Sequence, residues 1–274
     1  MTLGLGVGFY KLAGDAGAPV LIKTNNPQSM NFNGADESVQ CNNIADDIWN
    51  STAGGTASTT NFSASAWINI DTTSTTGIIF KAVAEGDNDN QLNMMYHNGS
   101  EEIRCTMKAG GDLDQPSYEV GAGEAHENAF ENDGNWHHVA MTVDSTADGG
   151  DGKITLYVDG TARDTNDNEL GTFDATINVC SIGQNTTNGS FFKGEIDEVA
   201  FWSTTLTAAN ITTLYNSGAQ SGEKALDLAS GSHVPIPFAW YRFNEPSGTV
   251  AINTVDNTQN GTYVNAPTIS RTSP

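Results

Sequence analysis

The sequence predicts an all-β fold, a sandwich of two antiparallel sheets with one short helix near residues 208–216. Three observations lead to this prediction. Only 16% of the 274 residues are charged, and the sequence is rich in glycine, asparagine, threonine and serine, which is typical of many strands joined by turns. Segments such as Phe62–Ile70 alternate apolar and polar residues, as strands with one buried face do. One segment, 189–218, has the order of a loop, a strand and a capped helix.

That last segment carries the most specific local signal. An apolar, β-branched and aromatic run around Val199 suits a buried strand. Thr207 is a good N-cap, and Asn210 stands where a full capping box would have Glu or Gln. Leu214 belongs to an apolar stripe at helical spacing, and Gly218 can take the left-handed conformation that ends a helix. A helix this short needs the sheet for stability, so we expect it to dock there.

Turn residues and apolar runs divide the rest of the chain. Ser29–Cys41 predicts two strands joined in a hairpin at Asn33-Gly34. Glu85–Asn90 predicts an acidic turn, and residues 108–133 a long surface loop. Further strands are predicted at Phe62–Ile70, Ile78–Ala84, Gln91–His97, Ile103–Met107, Gly134–Asp144, Lys153–Gly160 and Val179–Gly183.

The predicted domain organisation has three parts. Residues 1–28 are glycine-rich and poorly periodic, which predicts an extended arm that a neighbouring subunit would order. Their pattern is not that of a signal peptide, so the sequence gives no expectation of export. Residues 29–218 form the main sandwich. Residues 219–274 form a C-terminal segment that completes it.

The charge balance excludes two classes of partner. The chain has 33 acidic residues against 11 lysines and arginines, a formal net charge of −22. Such a field repels phosphate backbones and anionic lipid surfaces, so we expect neither nucleic-acid binding nor membrane docking. No segment approaches the ~20 apolar residues of a membrane-spanning helix.

Several motifs together resemble a known family. They are FSASAWINI from Phe62, GNWHHVAMTVD from Gly134, KITLYVDG from Lys153 and the closing GEIDEVAFW from Gly194. In this order they resemble the laminin-G-like domains of the concanavalin A-like lectin/glucanase superfamily, of the type found in phage structural proteins. The resemblance spans roughly 29–267 and implies a concanavalin A-like jelly roll whose two antiparallel sheets leave a concave face.

One part of the resemblance is out of order. Residues 234–267 contain AWYRFNEPSG and NGTYVN, which resemble the segment that usually begins such domains. Here that segment comes last, as in a circular permutation. Either it pairs within its own chain, or it is swapped to complete the sandwich of a neighbour.

The acidic residues of the closing strand do not predict an enzyme. Laminarinase-like glycosidases of this architecture place three acids in E-x-D-x-E or E-x-D-x-x-E spacing, so that all point into one groove. Here Glu195 and Asp197 share a face, Glu198 points to the other, and Val199 or Ala200 stands in the third position. We therefore expect no catalytic residues.

Two sets of residues are candidates for binding. Glycan sites use aromatic platforms with polar partners, and Trp49, Tyr96 and Tyr118 lie near predicted loops. The oxygen-rich turn with Asp87, Asp89 and Asn90 is the candidate for a metal, and Ca²⁺ is the ion that it suits. The chain has three cysteines; this odd count gives no disulfide framework, and buried free thiols are expected for Cys105 and Cys180.

These features predict a non-enzymatic, lectin-like structural and adhesion protein on the surface of a bacteriophage virion. It would contact other virion or self subunits through the arm, forming a homo-oligomer for which a trimer is one candidate, and host-surface glycans are candidate ligands. The alternatives are an extracellular bacterial carbohydrate-binding module and, less favoured, a polysaccharide hydrolase of the same fold.

Overall fold

The computed structural model describes residues 28–49, 61–71, 76–120, 133–166, 168–185, 189–216, 226–245, 248–270 and 274. These residues form two antiparallel sheets, which confirms the predicted all-β sandwich. The predicted arm 1–28 lies outside the described residues except for residue 28.

The first sheet has eight strands among the described residues, in the order β11-β10-β9-β3-β13-β1-β17, with β14 also paired to β13. Its strands are β1 (Ser29–Asn33), β3 (Phe62–Ile70), β9 (His137–Asp144), β10 (Lys153–Val158), β11 (Thr161–Asn166), β13 (Lys193–Trp202), β14 (Ala239–Tyr241) and β17 (Thr268–Ser270).

The second sheet has nine strands in the same described part, in the order β15-β16-β2-β12-β4-β5-β6-β7, with β8 also paired to β6. Its strands are β2 (Ser38–Gln40), β4 (Gly77–Ala84), β5 (Asp87–His97), β6 (Glu102–Ala109), β7 (Asp112–Asp114), β8 (Ser117–Glu119), β12 (Val179–Ile182), β15 (Val250–Ala251) and β16 (Gly261–Val264).

The core lies between the two sheets and contains side chains from both. Phe62 and Phe201 of the first sheet meet Phe80 of the second, with ring centroids 6.2 Å apart for Phe62–Phe80 and 5.2 Å apart for Phe80–Phe201. All three are fully buried. Because side chains alternate along a strand, the residues between these core positions point to the outer faces of the sandwich.

The predicted hairpin at Asn33-Gly34 is wrong. β1 pairs with β13 and β17 in the first sheet, whereas β2 pairs with β12 and β16 in the second, so the turn carries the chain from one sheet to the other. Asn33 Oδ1 accepts hydrogen bonds from the backbone N–H groups of Ala35 (2.8 Å) and Asp36 (3.2 Å). The sequence predicts the turn itself correctly, but the two strands beside it pair with strands that are distant in the sequence.

Three other local predictions differ from the structure. The acidic turn is confined to Glu85 and Gly86, and β5 already begins at Asp87. The predicted loop 108–133 contains the short strands β7 and β8. A one-turn helix, α1 (Ala45–Ile48), was not predicted; with four residues it is too short to produce a helical pattern.

The predicted helix is present as α2 (Ala208–Asn216). Thr207 Oγ1 accepts from the Asn210 backbone N–H (3.2 Å), and Asn210 Oδ1 accepts from the Thr207 N–H (3.0 Å). Asn210 therefore completes the reciprocal capping box in which Glu or Gln is usual. Among the described residues, no helix is long and apolar enough to cross a membrane.

β13 lies inside the first sheet, with β3 on one side and both β1 and β14 on the other. β1 pairs with its first half, from Lys193 to Ile196, and β14 pairs with its second half, from Val199 to Phe201. Between the halves the register with β3 shifts by one residue, and Glu198 has φ +51°. This bulge lets Ile196 and Val199 both enter the core. The C-terminal segment pairs with its own chain here and, through β16, at β2.

Candidate functional site

The two outer faces of the sandwich differ in chemistry. The outer face of the first sheet, which we call the covered face, lies under α2 and residues 226–240 and packs as a second apolar cluster with Trp202 and Trp240. The outer face of the second sheet, the polar face, is crossed by hydrogen-bonding side chains at one register level. This polar row consists of Thr262, Gln40, Ser181, Lys81, Asn93 and Thr106.

The polar row runs from an exposed end to a buried interior. Gln40 and Thr262 are exposed, whereas the other four side chains are less than 9% exposed. At the exposed end lies a cavity of about 290 Å³ lined by Gln40, Ser181 and Gln184, with Val83 and Val179 as apolar walls. A small polar ligand would therefore meet the row at Gln40.

Internal hydrogen bonds hold the lining of this cavity. Ser181 Oγ donates to the main-chain oxygen of Gln184 (2.7 Å), and Ser38 Oγ donates to Gln184 Oε1 (3.0 Å). Ser38 of β2 thereby orients the side chain of Gln184, and Ser181 of β12 fixes its main chain. A preorganised lining reduces the entropy that binding would otherwise cost.

Two buried groups continue the row inward. Lys81 is 3% exposed, its Nζ donates to Asn185 Oδ1 (3.1 Å), and burial lowers the pKa of its ammonium group. Asn93 is 6% exposed, and its Oδ1 has no hydrogen-bond partner in the described part of the chain. A buried polar atom without a partner costs about 1–3 kcal/mol, so it marks a place where a ligand group or water can bind favourably.

A larger cavity of about 670 Å³ lies within the C-terminal segment. Arg242, Asn244 and Glu245 line it together with Val250 and Ile252, which are 42% and 44% exposed. The carboxylate of Glu245 already accepts two hydrogen bonds from within the chain, one from the Ile252 N–H (2.7 Å) and one from the Tyr263 hydroxyl (2.9 Å). This cavity competes with the polar row as a ligand site, and the two are separable by mutation.

The predicted glycan-binding aromatics do not form a platform. Trp49 and Tyr96 are 7% and 1% exposed and belong to the core, where Trp49 packs on Phe173 with ring centroids 5.4 Å apart. Tyr118 is half-buried on β8, and the guanidinium of Arg163 lies 4.8 Å from its ring centroid. Burial contradicts the prediction for Trp49 and Tyr96, because side-chain direction depends on strand register, and glycan binding at Tyr118 stays a prediction.

The predicted metal ligands lie together but are bonded to each other. Asn90 Nδ2 donates to Asp87 Oδ2 and to Asp174 Oδ1, both at 2.7 Å. Its oxygen accepts from the Asp174 N–H (3.1 Å), so that oxygen is not directed at an ion, and Asp89 pairs with Lys108. Across the described residues no group of three or more His, Cys, Asp or Glu side chains could hold a metal ion. Calcium binding at these residues stays a prediction.

The acids of β13 do not converge as an acid trio. Glu195 lies in a small cavity of about 250 Å³ where Asn69 Nδ2 approaches its Oε2 (3.4 Å). Asp197 Oδ1 accepts from the Glu198 N–H (2.8 Å). The bulge takes Glu198 out of the strict alternation assumed from the sequence.

Glu198 is a structural ion-pair residue. It is 6% exposed and accepts from Trp240 Nε1 (2.5 Å) and Arg242 Nε (3.2 Å). Burial raises its pKa, although the charge of Arg242 and both hydrogen bonds oppose this. The carboxylate thus links β13 to the C-terminal segment.

Sequence reasoning missed the polar row. Its six side chains come from six different strands and have no common motif. They become neighbours only through register, and only the pairing Lys81–Asn93–Thr106 connects strands that follow one another in the chain. The single local signal was the alternation of polar and apolar residues in β5 and β6.

Comparisons with known proteins agree with this fold. A search of curated protein sequences found no match. A protein of Bacteroides ovatus, described as a proposed carbohydrate-binding protein, is 20% identical with a TM-score of 0.56; the alignment covers 92% of this chain and 60% of that one. Domains LG4–5 of mouse laminin α1 are 14% identical with a TM-score of 0.43, covering 64% and 40%. A Limulus polyphemus pentraxin is 14% identical with a TM-score of 0.46, covering 80% and 93%.

At these identities the structural likeness concerns the fold alone, and the chain spans less than two thirds of the Bacteroides protein. The sequence match is more specific. Residues 32–212 match the family model of the concanavalin A-like lectin/glucanases superfamily, which is more than half of the 274 residues. This chain belongs to the concanavalin A-like lectin/glucanases superfamily.

Proposed function

We propose that the protein is a non-enzymatic, lectin-like adhesion protein that binds a neutral glycan at the exposed end of the polar row. The observation that carries the proposal is the cavity lined by Gln40, Ser181 and Gln184 at the point where the row reaches the surface. Amide and hydroxyl groups both donate and accept, as sugar hydroxyls require.

The apolar walls and the charge support the same ligand class. Val83 and Val179 offer aliphatic surface to the C–H face of a sugar ring. The net charge of −22 repels acidic polysaccharides, which favours a neutral glycan. The description of the Bacteroides ovatus protein as a proposed carbohydrate binder is consistent with this ligand class.

A binding role fits better than hydrolysis. Retaining and inverting glycosidases need two carboxyl groups that face one sugar, one of them free to give a proton. Glu198 is committed to Arg242 and Trp240, and Asp197 to the backbone of β13. The proposal therefore includes no cleavage of the bound glycan.

The binding test uses one exposed side chain. Gln40→Ala is expected to weaken glycan binding at least tenfold in a glycan array and in calorimetry, with less than about 0.5 kcal/mol change in stability, because Gln40 is exposed. Asn168→Ala, which removes an exposed amide beside β11 of the first sheet, is the matched control and should bind normally. Prolonged incubation of the bound polysaccharide should release no shorter fragments.

A second variant separates the two cavities. If Asn244→Ala abolishes binding while Gln40→Ala does not, the ligand occupies the larger C-terminal cavity and the proposed site is wrong. If neither variant changes binding, both sites are excluded. Release of oligosaccharides that is lost in Glu195→Gln would instead establish the hydrolase alternative.

The setting we propose is a bacteriophage virion surface, with residues 1–28 contacting other subunits and forming a homo-oligomer. The resemblance to laminin-G-like proteins of phage structural gene sets motivates this setting. Light scattering should show an oligomer for the full chain, with a trimer as one candidate, and a monomer for a variant that begins at residue 29. A monomeric full chain would contradict the arm's role, and neighbouring genes for secretion rather than for capsid proteins would favour the extracellular bacterial module.

A further inference from the structure

Two of the three cysteines lie opposite each other in the second sheet. β2 and β12 pair with Gln40 opposite Ser181, so Cys41 and Cys180 form the next position of the same ladder. The Cys41 backbone N–H donates to the main-chain oxygen of Cys180 (2.9 Å). Their Sγ atoms lie 3.2 Å apart, and both side chains are fully buried.

The third cysteine is out of reach of this pair. Cys105 is on β6, and β4 and β5 lie between β6 and β12. Three strand spacings place Cys105 roughly 14 Å from Cys180. All three cysteines are free thiols in the structure, so the pair is positioned for a bond that has not formed.

We propose that Cys41 and Cys180 form a cross-strand disulfide when the protein meets a low-molecular-weight disulfide oxidant, and that Cys105 remains a thiol. The step breaks two S–H bonds and forms one S–S bond. The two electrons released by the cysteines reduce one molecule of oxidant, such as oxidised glutathione, to two thiols. These thiols also take up the two protons that the cysteines lose. The sulfurs need to approach by roughly 1 Å to reach bonding distance.

The bond would act on the cavity directly above it. Gln40 and Ser181, which line that cavity, are the neighbours of Cys41 and Cys180 in sequence and stand opposite each other in the ladder. The link would also close the chain from residue 41 to residue 180, about half its length, and long closed loops restrict the unfolded state most. The bond thus joins β2 to β12, and strands β3 to β11 lie between these two in the sequence.

Burial decides when the bond can form. A thiol reacts as its thiolate, and burial together with the neighbouring Cys180 raises the pKa of Cys41 well above its usual range. Exchange in the folded protein is therefore slow, and oxidation takes place during folding or local opening. This order is itself measurable, because folded and refolding protein should differ in oxidation rate.

The experiment refolds the full chain in oxidised glutathione and, in parallel, in dithiothreitol. Under denaturing conditions the oxidised protein should show one titratable thiol and the reduced protein three. Its intact mass should be lower by two hydrogens, with residues 41 and 180 joined in the proteolytic map. The melting temperature should rise by roughly 5–10 °C on oxidation.

Variants make the assignment specific. Cys105→Ala should still form the bond and leave no titratable thiol, whereas Cys41→Ala should gain no stability from oxidation. Should Cys41→Ala fail to fold, the thiol count and peptide map of Cys105→Ala still decide. The proposal is overturned by three titratable thiols after oxidative refolding, by a link to Cys105, or by glutathione adducts without the 41–180 link.

Discussion

The two outer faces of the sandwich obey the same strand alternation but contain opposite chemistry. On the covered face, Trp202 and Trp240 are buried beneath α2 and residues 226–240, and both ring N–H groups have acceptors. On the polar face, Lys81 and Asn93 are nearly as buried, yet the oxygen of Asn93 has no partner in the described chain. On the covered face the chain supplies acceptors for both indoles, whereas on the polar face the Asn93 oxygen keeps unused hydrogen-bonding capacity within the described chain.

The buried charges of the two faces show the same contrast. Glu198 accepts from a cation and from an indole donor, whereas Lys81 Nζ donates to a neutral amide, Asn185 Oδ1, and burial lowers the pKa of its ammonium group. A buried charge with its counter-ion stabilises the fold only while both are present. A buried ammonium whose charged form is disfavoured by burial loses less when an apolar side chain replaces it.

The largest expected effect is the loss of the counter-ion on the covered face. Arg242→Met should reduce the free energy of unfolding by about 3–5 kcal/mol, because it leaves Glu198 charged and buried without its cation. Lys81→Met, the matched deletion of a cation on the polar face, should cost less than Arg242→Met, because the Asn185 amide that it leaves behind is neutral. Urea unfolding monitored by tryptophan fluorescence measures both.

A double variant tests the reason given. Glu198→Gln combined with Arg242→Met should recover most of the lost stability, since a neutral amide needs no counter-ion and still accepts from Trp240 Nε1. Equal losses in Lys81→Met and Arg242→Met would remove the contrast between the faces. A double variant no more stable than Arg242→Met would show that packing of the arginine, and not its charge, is what matters.

The sequence predicted local features of the fold correctly, but it did not predict which distant strands pair. The capped helix α2 was predicted at 208–216 because its cap, apolar stripe and stop signal all lie within a dozen residues, and β3 was predicted with its exact bounds. The Asn33-Gly34 turn was read correctly as a turn, but its two strands belong to different sheets. No local pattern specifies which distant strand a short segment will join.

The candidate site was harder to predict from the sequence for the same reason. Gln40 and Ser181 are far apart in sequence and meet only through ladder register, as do Cys41 and Cys180. The bulge at Glu198 changed the direction assumed for an acidic side chain. Trp49 and Tyr96 lie near predicted loops in the sequence, yet both are buried, because loop proximity does not determine burial.

The adjacent residues His137 and His138 have pKa values shifted in opposite directions, so their contributions to stability should depend oppositely on pH. His138 lies under α2, with ring centroids 5.2 Å from Trp67, and complete burial lowers its pKa to about 4. Because its folded-state pKa is below the unfolded value of about 6.5, stability is lost as the pH falls from 6.5 towards 4, by up to about 3 kcal/mol. His138→Phe should remove much of that loss between pH 7.5 and 4.5.

His137 serves as a control for His138, because its pKa is shifted in the opposite direction. Burial disfavours its charged form, but the hydrogen bonds and charges of Asp159 and Asp133 prevail and raise its pKa. Its stabilising contribution is complete below the unfolded pKa and is lost as the pH rises through the folded pKa. His137→Asn should therefore make the acid loss steeper. Parallel pH profiles for the two variants would contradict the assigned burial of His138.

The smallest expected effect tests how the covered face keeps its helix. Thr207→Ala removes the side-chain acceptor for the Asn210 N–H and should cost about 1 kcal/mol in urea unfolding. Thr213→Ala is the matched control; its hydroxyl bonds only within the helix, to the Ala209 carbonyl (2.8 Å), so alanine should be neutral or slightly stabilising. A cost in Thr213→Ala equal to that in Thr207→Ala would mean that α2 is held by general side-chain contacts. A cost confined to Thr207 would show that the covered face depends on a helix whose end is fixed locally by its own cap.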